Sequence, residues 1–193
     1  MNALRHRVGS NKRRHLSEAL LLAVLLPAGT SAQDATDARL RAAFLFNFIQ
    51  YVEWPSNPVS TLDAPLLIGI YQDPELAAAA ISMVEGRTVG GRTVAVRVLS
   101  RPDQVEDLFV LYVGSTDPLE IARGLNEVEG RPVLTVGYAD GFAARGGMIN
   151  FVLEDRRMKF EVNRKATEES GLRLSSQLLR LARIVGDGAG PRP

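Results

Sequence analysis

The chain of 193 residues contains no cysteine. Disulfides are excluded, so an exported domain of this sequence must be held by its core alone. Histidine is almost as scarce: His6 and His15 both lie near the start. A chain trimmed beyond them has neither residue type. That removes Ser-His-Asp and Cys-His nucleophilic machinery, and with it the usual zinc and copper ligand sets. Catalysis would have to rest on carboxylates, lysine, tyrosine, serine or a hard oxygen-bound metal. The serines near the C-terminus, Ser175 and Ser176, are not part of a Ser-x-x-Lys nucleophile motif. The apolar run "ALLLAVLLPA" (Ala19–Ala28) is also short of the ~20 residues a stable membrane span needs.

What surrounds that run gives it a meaning. Arg5, Arg7, Lys12, Arg13 and Arg14 precede it, and "GTSAQ" follows, with Thr30 and Ala32 at small-residue positions. Basic head, apolar core and small-residue site predict a secretory signal peptide over residues 1–32, cleaved after Ala32. An uncleaved anchor or a buried helix is the alternative reading. Arg13-Arg14 followed by Leu16 faintly resembles a twin-arginine export signal. Cleavage removes five of the 23 basic residues and, with Glu18, one of the 22 acids, so the mature balance is 18 − 21 = −3. The whole-chain value of +1 therefore hides a mildly acidic domain, which offers no reason to expect nucleic acid as a partner. Residues 33–193 suffice for one domain with a core of its own.

Residues 33–36 read as a flexible linker. Asp37 is placed to cap a helix running to about Val52. On a helical wheel Leu40, Phe44, Leu45, Phe48, Ile49, Tyr51 and Val52 share one broad apolar arc, interrupted by Arg41. Arg39, Asn47 and Gln50 lie opposite, together with Phe46 and Ala43. Trp54-Pro55 ends the helix, because proline disfavours helical geometry in the residue before it. "APLLIGIY" (Ala64–Tyr71), "LFVLYVGS" (Leu108–Ser115) and "RPVLTVGYA" (Arg131–Ala139) are continuous apolar runs, as doubly covered strands would be. "RTVAVRVLS" (Arg92–Ser100) alternates and reads as a strand. Two helices start with Asp-Pro, at Asp73-Pro74 and Asp117-Pro118. "MINFVLED" and "RMKFEVN" are strands about the turn Asp155-Arg156. "LRLSSQLLRLARIV" reads as one last helix ending near Val185, with residues 186–193 a loose tail. This order predicts a single α/β domain over residues 37–185. Its architecture is a three-layer α/β/α sandwich with a mixed sheet and a C-terminal β-hairpin plus helix.

The motifs are ambiguous when taken singly. "GRTVGGRT" (Gly86–Thr93) follows a helix and precedes a strand, the reverse of a phosphate loop, so a helix stop plus a turn is the expectation. "ARGGMIN" is either a tight turn or a backbone approach to a ligand with Arg145 and Asn150 as polar contacts. Glu154, Asp155 and Glu161 are the carboxylates of the late hairpin. Glu161 is the one to test if a carboxylate hydrolase is considered. Leu174, Leu178, Leu181 and Ile184 are spaced for helical core packing, with Ser175 and Ser176 a cap or a ligand-facing pair.

Together these residues resemble a known family. "LRAAFLFNFIQYVEWP" is similar to its opening pattern K-A-A-F-L-Y-N-F-x-K-F-V-E-W-P. The stretch Gly130–Val185 resembles its closing region, through Gly146-Gly147-Met148-Ile149-Asn150, Phe160-Glu161-Val162-Asn163 and Ser175-Ser176…Leu179. This is the YfiR family of exported bacterial proteins, and the resemblance covers about Leu40 to Val185. It implies a small periplasmic α/β domain without catalytic activity and without a cofactor. It also implies an inhibitor that binds the periplasmic region of an inner-membrane diguanylate cyclase, lowers cyclic di-GMP and restrains biofilm formation. An outer-membrane lipoprotein is implied as a sequestering partner, and a homodimer as the assembly. Family members often carry a cysteine opening the strand that is "LFVLYVGS" here. Phe109 or its neighbours stand in that place, so thiol-based redox control is excluded for this chain. Related domains occur fused to sensor kinases, which leaves a kinase open as the partner.

The resemblance gives the crowded first helix a second use. Phe44, Phe48, Tyr51 and Trp54 are the candidate partner interface, since aromatics anchor interfaces. The alternative is that all four are core. Arg145, Asn150, Glu161 and Asn163 are the candidate ligand contacts if the domain is a small-molecule sensor.

Overall fold

The computed structural model describes residues 30–55 and 64–186. The apolar run of the predicted signal peptide lies outside the described residues. The first helix, α1, runs Thr30–Tyr51. It starts ahead of Asp37 and takes in residues 33–36, because no glycine or proline stands between Thr30 and Asp37 to stop it. Asp37 is then not a cap. Its carboxylate instead accepts a bond from Gln33 Nε2 one turn earlier, at 3.4 Å. The helix gives way to β1 (Val52–Glu53), which pairs antiparallel with β9 (Arg173–Leu174).

The main sheet begins with β2 (Leu66–Tyr71), whose six residues are all buried. A helix, α2 (Pro74–Val84), follows, its Asp73 carboxylate accepting from Leu76 N at 2.9 Å. Then come β3 (Thr88–Val89), β4 (Arg92–Leu99) and β5 (Leu108–Val113). The helix α3 (Pro118–Asn126) repeats the Asp-Pro start, with Asp117 accepting from Leu119 N at 2.9 Å. Next are β6 (Leu134–Gly137), a 3₁₀ turn (Ala143–Arg145), and the hairpin β7 (Ile149–Glu154) and β8 (Arg157–Asn163). The chain closes with α4 (Arg164–Glu169), β9, α5 (Ser176–Leu181) and β10 (Arg183–Val185).

The eight strands are ordered β10-β8-β7-β6-β5-β2-β4-β3. From β4 to β7 neighbours run parallel. The strands β8 and β3 are antiparallel to β7 and β4, and β10 is parallel to β8. The sheet is therefore mixed, with helices on both faces, as the order of elements implied. One face carries α1, α2 and Leu178 of α5 over Ile68, Ile70, Val110, Tyr112, Leu134, Val136, Phe151 and Phe160. The other carries Ile121 of α3 and Phe142 over Leu67, Tyr71, Leu99, Leu111 and Val113.

One further expectation needs correction. The last helix is not continuous to Val185. Ser175 caps α5 through Leu178 N, the helix stops at Leu181, and Arg183–Val185 become a strand beside Glu161–Asn163 of β8. The β-branched pair Ile184-Val185 suits a strand, and tertiary pairing overrides the helical period. The glycines of "GRTVGGRT" make the expected helix stop and turn, with Gly86 just past the end of α2 at φ 68°. Gly90 and Gly91, both at positive φ, form the two-residue turn of a small β3–β4 hairpin with Val89 opposite Arg92.

Candidate functional site

The aromatics of α1 divide between core and surface. Phe48 is fully buried, with its ring centroid 5.7 Å from Phe151, 5.4 Å from Phe160 and 6.1 Å from Phe44. Phe44, half-buried, lies 5.8 Å from both Phe151 and Phe160. These rings clamp the helix onto the hairpin, and Phe48 has no surface left for a partner. Tyr51 is exposed at the end of α1. Trp54 is half-buried, edge-on to Phe109 at 5.6 Å, and the Arg92 guanidinium lies 4.8 Å from the same Phe109 ring. Of the four predicted interface residues, Tyr51 and part of Trp54 reach the surface.

The buried face of α1 also differs from the predicted arc. Phe46, on the predicted polar side, is buried, with Arg87 over its ring at 5.0 Å. Leu40 and Tyr51, on the predicted apolar side, are exposed. The reason is that α1 is covered twice, by the sheet and by α2, so its buried surface is rotated toward the neighbouring helix.

Arg41, the residue that interrupts the apolar arc, is a buried hub. Its Nη1 donates to Asp73 Oδ2 and to Tyr112 Oη, both at 2.6 Å, and its guanidinium lies 5.2 Å from the Tyr138 ring centroid. Burial alone would lower the Arg41 pKa, but the interactions with Tyr112 and Asp73 outweigh it and raise it. Burial raises the Tyr112 phenol, keeping it neutral. The only sign in the sequence was an arginine where an apolar residue was due.

This hub sits where a doubly wound sheet ordinarily binds ligands. The connections from β2 go to β4 on one side and, by way of β4, to β5 on the other, so the carboxyl ends of β2 and β5 form the topological switch point. Here the crevice is closed by the chain itself. Gly114 N donates to Tyr71 O at 2.7 Å, and a side chain at Gly114 would collide with Gln72 O and Asp73. On one face Arg41, Asp73 and Tyr112 fill the space. On the other the Tyr71 hydroxyl donates to Glu120 Oε2 at 2.6 Å and accepts from Gln72 Nε2 at 2.8 Å.

The predicted ligand contacts do not converge on one cavity. Asn150 and Glu161 are cross-strand partners, and Asn150, itself buried, accepts from Ala139 N at 3.3 Å and donates to Glu161 at 3.4 Å. Asn163 is an architectural hub: Oδ1 caps α4 through Ala166 N at 3.0 Å and Nδ2 donates to Ala143 O at 2.8 Å. Arg145 alone of the four lines a cleft of about 530 Å³, between α4 and residues 125–130, which end and follow α3, with Thr135 and Met148 also lining it. Of the paired glycines beside it, Gly146 faces open space, whereas Gly147 approaches a side chain of the protein. A Cβ at Gly147, or at Gly137 across from it, would enter the Phe142 ring, which is fully buried.

A family model described as YfiR/HmsC-like matches residues 38–183. The chain belongs to the YfiR/HmsC-like family. The match begins at Ala38 within α1 and ends at the first residue of β10, so it spans every element that builds the sheet and its two coverings.

The open face of this YfiR/HmsC-like domain lies on the hairpin. Arg183 of β10 bonds Glu161 through two nitrogens and Glu154 at 2.7 Å, while Lys159 holds Glu154 at 2.8 Å. The Lys159 hydrogen bond and charge pull the Glu154 pKa below the usual carboxylate range. A general acid needs the opposite shift. These carboxylates are arranged as ion-pair acceptors, which gives a hydrolase reading of Glu161 no support.

Proposed function

We propose that the domain is a non-enzymatic periplasmic regulator that binds the periplasmic region of an inner-membrane diguanylate cyclase and holds it inactive. The observation that carries this reading is the YfiR/HmsC-like match over residues 38–183. YfiR-like proteins are periplasmic and regulatory rather than catalytic. A switch-point crevice filled by Arg41, Asp73 and Tyr112 supports a binding role over a catalytic one. The leader is read as a cleaved signal peptide. Among the described residues no helix is long and apolar enough to cross a membrane. Repression requires tighter binding to the inactive cyclase than to the active one, because a ligand shifts an equilibrium only by its differential affinity. A homodimer, and release by an outer-membrane lipoprotein, belong to the same proposal.

The test is cellular cyclic di-GMP in a strain lacking the gene, complemented with the full-length or the leaderless chain. A rise on deletion that only the exported form reverses is the expected result. No change on deletion removes the cyclase as partner. A second reading, a small-molecule sensor, is favoured by the Arg145-lined cleft, whose volume suits a small ligand. Thermal-shift screening of periplasmic metabolites tests it, since a ligand of the native state raises the melting temperature.

A further inference from the structure

The cleft beside α3 and α4 collects negative charge. Glu129 lies just past the end of α3 and Glu169 is the last residue of α4, and both line it. Glu129 forms no ion pair among the described residues, and Glu169 has only Lys165, at 3.8 Å. Arg145 also lines the cleft, but its Nη1 donates to Asp140 O at 2.7 Å and lies beside Gly141, neither of which belongs to the lining. Its charge is therefore turned to the loop. The last turns of α3 and α4 both end at the cleft, and the C-terminal end of a helix is the negative pole of its dipole.

Thr135 is part of the same lining and is 2% exposed. Its Oγ1 accepts from Met148 N at 3.0 Å. A hydroxyl has two lone pairs and a proton to offer. The rest of that capacity has no partner among the described residues, although polar groups buried this deeply are ordinarily satisfied. Leu125, Val128 and Met148 complete the surface with apolar contacts.

We propose that this cleft binds an aliphatic diamine or polyamine. The ammonium groups pair with the Glu129 and Glu169 carboxylates, and one of them donates to the second lone pair of Thr135 Oγ1. The methylene chain lies on Leu125, Val128 and Met148. An anion would meet two carboxylates and is repelled. A bare metal ion lacks ligands, since no group of three or more ligating side chains occurs among the described residues. The volume of about 530 Å³ is that of a small-ligand site. This deepens the sensor reading and rests on it.

The experiment titrates the purified exported protein with putrescine and spermidine, and with succinate and butanol as contrasts, by thermal shift and calorimetry. The variants are Glu129→Gln, Glu169→Gln, the two together, and Glu168→Gln. Glu168 is on the same helix but outside the lining, paired with Arg164. An amine is expected to raise the melting temperature saturably. Each lining variant is expected to weaken its binding about two- to fivefold, as loss of an exposed charge pair does. The double variant is expected to abolish it, and Glu168→Gln to leave it unchanged. Undiminished binding by the double variant overturns the proposal. An equal loss with Glu168→Gln also overturns it, as diffuse attraction to an acidic surface. Stabilisation by succinate or butanol but not by the amines overturns the ligand class and leaves the sensor reading standing. No stabilisation by any of the four overturns the proposal, and the wider metabolite screen then shows whether the sensor reading falls with it.

Discussion

The parallel half of the sheet and its hairpin half are made of similar strands but are clad differently. Every residue of β2 is buried, because helices or packed loops cover both faces. The hairpin is covered on one face by the rings of α1. On the other, beyond Asn150, it presents Val152, Glu154, Lys159 and Glu161 to solvent in part or in full. The difference separates two tasks. Burial of apolar surface, the main stabilising term, is concentrated where α1 and α2 press on the sheet. Charged chemistry available to a second molecule is concentrated where no helix lies.

The comparison can be broken at its most buried point. Phe48→Ala leaves a cavity among three rings and is expected to cost about 3–5 kcal/mol in chemical denaturation. A cost near that of a surface change would mean α1 does not clamp the hairpin. Next is the hub between helix and sheet. Arg41→Ala strands Asp73 and Tyr112, and breaking a buried pair costs about 3 kcal/mol. The Arg41 and Asp73 side chains retain 10% and 14% exposure, so water softens rather than removes this loss. The double variant Arg41→Leu with Tyr112→Phe is expected to recover part of it.

The same network gives a pH signature. Burial raises Tyr112 in the folded state, and a hydrogen bond to Glu120 raises Tyr71. Unfolded tyrosine titrates near about pH 10. Stability linked to these phenols is therefore complete below that pH and falls as pH rises through the folded values, since the folded state then holds more protons. Thermal melts between pH 8 and 11 (roughly the span around the unfolded value) are expected to steepen downward above 10. Tyr112→Phe is expected to flatten that slope.

Gly147→Ala sharpens the contrast on the second face. The added methyl enters the Phe142 ring, and overpacking of this kind costs about 1–3 kcal/mol. The smallest effect is expected on the open face. Arg183→Ala removes bonds to Glu154 and Glu161 but at an exposed site, so its cost is about 1 kcal/mol or less and shrinks with added salt. An Arg183 effect as large as that of Phe48 would erase the distinction between the two halves.

Much of the fold was legible because its signals are local. Continuous apolar runs, alternation in β4, and the Asp-Pro starts of α2 and α3 each depend on a few adjacent residues. The candidate site was less legible. Asn163 looked like a ligand contact because it is polar within an apolar strand, yet its bonds go to Ala166 N and Ala143 O. Phe48 looked like an interface anchor because aromatics are crowded there, yet three rings surround it. Polarity and bulk are visible in a sequence, whereas the partner that satisfies them is brought by a distant segment.

By itself, the sequence determined that this protein has no disulfide, no histidine or cysteine chemistry beyond His15, and an α/β domain carrying the marks of the YfiR family. Those conclusions rest on composition and on short-range patterns. Tertiary structure alone decided which side of α1 is buried, that Arg41 locks the switch point, and that Arg183–Val185 is a strand rather than the end of a helix. The physical reason is shared by all three. Burial and strand pairing are set by a second segment far away in the chain, and helical periodicity cannot say which segment will arrive.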